Sequence, residues 1–112
     1  MRASWNAPCG CRGPRCLGAQ ALEIYLAEIT VHTWDLATAT GQRPVWDAEV
    51  VDIGLGAMQR DLPAEGRTAS YEEAFQHMPA GTPTDPPFAE AVDLPDDASA
   101  IEQLVAWTGR RP

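Results

Sequence analysis

The stretch Ala21-Leu22-Glu23-Ile24-Tyr25-Leu26-Ala27-Glu28-Ile29-Thr30-Val31-His32-Thr33-Trp34-Asp35-Leu36-Ala37 contains neither Gly nor Pro and reads as one helix. At about 3.6 residues per turn, Glu28 and His32 stack on adjacent turns with Cβ atoms roughly 5 to 6 Å apart. One carboxylate and one imidazole at that spacing are acceptable donors to a single divalent ion, and a catalytic site normally takes three protein ligands plus water. The same pair at the same spacing also forms an ordinary surface hydrogen bond or charge pair. The neighbours weigh toward the ligand reading. Leu22, Ile24, Tyr25, Leu26, Ile29, Val31, Trp34 and Leu36 make the helix apolar over most of its circumference, so it is expected to be largely buried. A buried Glu28 then needs a cation, a strong donor or a metal.

Outward from this helix, Gly41 is placed to end it as the left-handed C′ residue, with Pro44 shortly beyond. Asp47 caps a second helix over about Ala48 to Arg60, where Val50, Val51, Leu55 and Met58 recur at helical spacing. Gly54 and Gly56 lower its propensity by about 1 kcal/mol each, and the compensation expected is a close approach to the first helix. Leu62 to Pro87, dense in Pro, Gly, Thr and Asp, reads as a long irregular connection with one helical turn at Tyr71 to His77. Phe88 to Val92 reads as a short extended segment. Ser99-Ala100-Ile101-Glu102 fits a capping box, Ile101, Leu104, Val105 and Thr108 share a face, and Gly109 ends the last helix. The fold class expected is all-α.

The motifs also carry a family resemblance. His32-Thr33-Trp34-Asp35-Leu36-Ala37, followed by Ala39-Thr40-Gly41-Gln42, resembles the last-helix signature of the mycothiol-dependent maleylpyruvate isomerase metal-binding family, within the DinB-like superfamily. Val92-Asp93-Leu94-Pro95-Asp96-Asp97-Ala98 and Leu104-Val105-Ala106-Trp107-Thr108-Gly109-Arg110 resemble the tail of short family members. The resemblance runs from about Ala19 to Pro112 and implies the C-terminal portion of a four-helix bundle holding one divalent metal. Glu28 and His32 match the ligand pair of the last bundle helix. In the family the remaining ligand comes from an earlier helix, so the resemblance implies that this chain looks like the C-terminal half of such a protein. The implied cofactors are a divalent metal, zinc or alternatively nickel, and mycothiol or a related low-molecular-weight thiol. The implied partners are that thiol and a small-molecule substrate, in isomerase or transferase chemistry. Trp34 is assigned to packing and Asp35 to support of the ligand or of the helix end.

Composition limits the alternatives. The chain of 112 residues has a formal net charge of −8, with eight Arg and no Lys. Arg2, Arg12 and Arg15 precede every acidic residue, so all sixteen acids fall in the remainder against five Arg. Such an acidic body argues against general nucleic-acid binding, which requires phosphate neutralisation. No apolar run approaches a membrane span and the opening lacks a secretory apolar block, so a cytoplasmic location is expected. With nine Gly, ten Pro and one strongly apolar helix, the core is expected to be thin.

Residues 1 to 18 fall outside the resemblance and read as a disordered or non-family leader, with residues 19 to 112 as the partial domain. Cys9, Cys11 and Cys16 in that leader form a Cys-x-Cys-x4-Cys cluster, three thiols at a spacing unlike the paired units of structural zinc sites. His77, the only other histidine, is the one further imidazole to test as a third ligand, against the simpler reading of an exposed loop residue. Three functions follow. They are a metal- and thiol-dependent enzyme, a non-catalytic fragment that completes a bundle or self-associates through exposed helix faces, and a cysteine-cluster protein.

Overall fold

The computed structural model describes residues 18–112, which form four helices and, among the described residues, no strand. Helix α1 spans Gly18–Thr40, α2 Ala48–Asp61, α3 Arg67–Gln76 and α4 Ala100–Trp107. The all-α class is therefore observed. Residues 1–17 of the expected leader, with Cys9, Cys11 and Cys16, lie outside the described residues. No described helix is long and apolar enough to cross a membrane.

Local signals set most helix ends. Gly41 adopts φ 71°, and the amides of Gly41 and Gln42 donate to the carbonyls of Thr38 and Ala37 at 3.3 and 2.8 Å. A left-handed residue here satisfies carbonyls that the helix leaves orphaned. Asp47 accepts from the Val50 amide at 3.1 Å and starts α2. The capping box of α4 is complete, with Glu102 accepting from the Ser99 amide at 2.7 Å. Gly109, at φ 90°, ends it.

Helices α1, α2 and α4 pack together around Ala27, Val31, Val51, Met58, Leu104 and Val105. A β-carbon at Gly54 would stand 3.2 Å from Ala27 Cα and 3.5 Å from Leu104 Cδ2. The missing side chain thus lets all three helices meet. Gly56 faces open space instead, so only one of the two glycines serves the close approach expected of them. Trp107 of α4 adds a polar tie, its Nε1 donating to the carbonyls of Met58 and Leu62 at the end of α2.

Three expectations are corrected. Helix α1 is not largely buried: Leu22 is 50 %, Tyr25 63 %, Ile29 65 % and Leu36 65 % exposed. Only α2 and α4 pack on it, so the opposite face has no cover among the described residues. The connection after α2 holds a complete helix where one turn was expected. Gly66 enters α3 at φ 77°, and Arg67, 1 % exposed, donates from Nε to the Pro63 carbonyl and from Nη1 to Ala89 O at 2.6 Å. Its guanidinium also stacks 5.8 Å from the Trp107 ring centroid. Glu90 accepts from the Thr68 amide at 2.9 Å, a cap supplied from 22 residues away. Burial pushes the Arg67 guanidinium below its ordinary pKa, opposed by the charge of Glu90. Finally, Phe88 to Val92 forms no strand and is tied by single backbone bonds, Ala91 to Ala64 at 3.3 Å and Val92 to Ala106 at 3.0 Å.

The two glycines of α2 separate propensity from packing. Gly56→Ala is expected to stabilise the fold by about 0.5 to 1 kcal/mol. Gly54→Val is expected to destabilise it by about 1 to 3 kcal/mol, because α1 must move away. Urea unfolding of both variants checks the opposite signs.

Candidate functional site

Glu28 and His32 of α1 line a cavity of about 260 Å³ with Val31, Met58, Phe88 and Arg110. Helical geometry supplies the first two, as their spacing requires. Val31 comes from the same helix, and Met58, Phe88 and Arg110 are brought in by tertiary structure. At Gly109 the chain turns so sharply that an added β-carbon would lie 2.7 Å from Ala89 Cβ. Positive φ and close approach both demand glycine there. The turn is fixed by the amides of Gly109 and Arg110 donating to Ala106 and Val105 carbonyls, each at 3.0 Å. Arg110 then reaches back to α1.

The Arg110 guanidinium grips Asp35 with two bonds, Nε to Oδ1 at 2.6 Å and Nη2 to Oδ2 at 2.8 Å. Its Nη1 donates to Thr108 Oγ1 at 3.1 Å. Such a two-pronged pair is among the stronger charge-assisted contacts. Asp35 Oδ2 also lies 3.4 Å from His32 Nδ1. One carboxylate is therefore shared between a permanent cation and the imidazole that lines the cavity. Hydrogen bonding from Arg110 holds the Asp35 carboxyl below its ordinary pKa, partial burial opposes this, and the Arg110 charge and His32 reinforce it.

A carboxylate beside Nδ1 favours the tautomer carrying its proton on that nitrogen, which leaves the Nε2 lone pair for a metal or a proton. Glu28 is half-buried and His32 exposed, so both remain accessible from solvent. Among the described residues no group of three His, Cys, Asp or Glu side chains is close enough to hold a metal ion. The cavity joins two candidate donors, not three. His77 lies exposed at the C-terminal end of α3 and does not line the cavity. Trp34 is half-buried against the core.

No family model, curated protein or solved structure matches the chain.

Sequence reasoning did not assign Arg110 a partner. The signal available was Arg110 directly following the helix-ending Gly109, but the 75 residues separating it from Asp35 hid the pairing. The pair has a pH signature. Because the folded-state pKa of Asp35 is lowered, its contribution is complete above about pH 4 and is lost as pH falls through the folded value. Asp35→Asn is therefore expected to cost about 1 kcal/mol or less at pH 7, given the partly exposed pair, with the difference from wild type shrinking toward pH 2. Denaturant unfolding of both proteins across that range measures it.

Proposed function

We propose that the chain is a divalent-metal-binding protein of the mycothiol-dependent maleylpyruvate isomerase type, with Glu28 and His32 as two of the metal ligands. The observation that carries this reading is the joint placement of both side chains on one cavity, with Asp35 set beside the far nitrogen of the imidazole. The donor chemistry, one carboxylate and one imidazole, fits zinc first and nickel second. The described residues bring no third donor to the pair, so they fit half of a site. No catalytic step is assigned to them.

The resemblance to the family supplies the rest of the proposal: a DinB-like bundle, a low-molecular-weight thiol such as mycothiol, a small-molecule substrate in an isomerase or transferase reaction, and a cytoplasmic setting. A bound zinc ion supplies Lewis-acid activation of a thiol in such chemistry. Glu28 and His32 would hold that ion, while Asp35, fixed by Arg110, holds the imidazole in its ligating tautomer. Val31, Met58 and Phe88 provide the apolar wall of the cavity.

A second reading, a bundle-completing module without catalysis, is favoured by the uncovered apolar face of α1. On that reading the chain associates through this face, and a compact monomer in light scattering would count against it.

Elemental mass spectrometry of the purified full chain tests the metal. Near-stoichiometric zinc or nickel is expected in the wild type and is lost in both Glu28→Ala and His32→Ala. A metal-free wild type would overturn the proposal. Replacing Cys9, Cys11 and Cys16 together by Ser is expected to leave the content unchanged, and loss of metal there would assign it to the thiols.

A further inference from the structure

The loop that joins α1 to α2, residues 41–47, is held at both ends. The amides of Gly41 and Gln42 donate to carbonyls in the last turn of α1, and Asp47 caps α2. Pro44 fixes one backbone angle between them. Trp46 stands one residue before the cap, the position from which an apolar side chain packs back onto its own helix. It is half-buried against the core, as is Trp34 of α1. The two indoles line a cavity of about 200 Å³ whose polar groups are Thr38 of α1 and Gln42 and Arg43 of the loop. This cavity shares no residue with the one at Glu28 and His32.

Arg43 is the cation left over in an acidic chain. Among the described residues, Arg60 pairs with Glu23 and Asp61, Arg110 pairs with Asp35, and Arg67 is buried on backbone carbonyls and over Trp107. Arg111 shares its cleft with Glu90 and Asp93. Arg43 has neither an ion pair nor a ring stack among the described residues, and no carboxylate lines its cavity. The hydroxyl of Thr38 is also uncommitted. Thr30, Thr33 and Thr40 each donate to the carbonyl four residues back, whereas Thr38, which lines the cavity, makes no such bond among the described residues.

Size and shape narrow the ligand. A dry cavity of about 150 Å³ holds one benzene, so the volume here suits a single six-membered ring with one small substituent and excludes a nucleotide. Indole walls receive an aromatic ring by offset or edge contact. A guanidinium fork receives a carboxylate through two parallel bonds.

We propose that this cavity binds a small aromatic carboxylate, its ring against Trp34 and Trp46 and its carboxylate on Arg43, with Thr38 and Gln42 as further hydrogen-bonding groups. The site goes beyond the metal reading and uses none of its residues. Helix ends and core packing already fix the loop and the rings, so the ordering cost falls mainly on the ligand. With so few ligand atoms, the dissociation constant is on the order of 1 mM.

Titration of the nitrogen-labelled full chain with benzoate at constant ionic strength, followed by nuclear magnetic resonance, reads the indole N–H signals one by one, assigned through Trp34→Phe and Trp46→Phe. Saturable shifts at Trp34 and Trp46 are expected, with Trp107 unmoved. Arg43→Gln, at an exposed position, is expected to keep the helical circular dichroism and to weaken benzoate by about tenfold or more, with Arg43→Lys in between. Toluene, the ring without the charge, and acetate, the charge without the ring, are each expected to bind about tenfold more weakly or worse. The absence of a saturable shift below about 20 mM benzoate would overturn the site. Toluene binding as well as benzoate, or an Arg43→Gln variant that binds like wild type, would remove the carboxylate assignment. Saturable shifts centred on His32 would put benzoate at the Glu28–His32 cavity and would equally count against this one.

Discussion

The absent side chain of Gly54 is the constraint on which the packed helices depend. At that point α2 meets the backbone of Ala27 on α1 and the side chain of Leu104 on α4. A thin core tolerates little separation, because every gap forfeits contacts that no neighbouring layer replaces. The residues around the junction reflect this: Ala27, Val51, Leu104 and Val105 are almost completely buried, while larger apolar side chains of α1 stand in solvent. The same junction fixes the distance from α1 to the end of α4, and with it the reach of Arg110 to Asp35.

The parts of this fold legible in the sequence are those decided within a few residues. Gly41, Asp47, Ser99 with Glu102, and Gly109 each terminate or start a helix through contacts to adjacent turns, and each does so here. The pairing of Glu28 with His32 on one face is equally local. Helix α3 was hidden because its anchors are remote. The Pro- and Gly-rich surroundings suggested an irregular segment, whereas the carbonyl of Ala89 and the carboxylate of Glu90 hold its first turn from far along the chain. The burial of α1 was overestimated for a different reason. Its apolar residues describe what the helix can cover, and the number of helices present decides what is covered.

The cavity at Glu28 and the uncovered face of α1 share a boundary at His32. The imidazole lines the cavity beside Glu28 and, three residues after Ile29 and four before Leu36, also lies on that face. Whatever covers α1 therefore also changes the surroundings of this histidine, restricting water and raising the effective strength of its contact with Asp35. Chemistry at Glu28 and His32 and association through α1 are coupled by geometry, since one helix serves both.

Helix α3 carries the most unusual mechanical consequence. Apart from Arg67, whose guanidinium lies over Trp107 of α4, it does not pack on the other helices, and its side-chain anchors, Arg67 and the cap on Thr68, are both in its first turn. The remaining turns, with the stacked rings of Tyr71 and Phe75, extend from that point as a cantilever. Such an element has its own opening equilibrium, separate from global unfolding. Withdrawal of the Arg67 guanidinium would leave the Glu90 cap on Thr68 as the remaining side-chain anchor, loosening the segment while the three-helix core persists. Amide exchange along α3 would then report the residence of Arg67 in its cradle, not the stability of the protein.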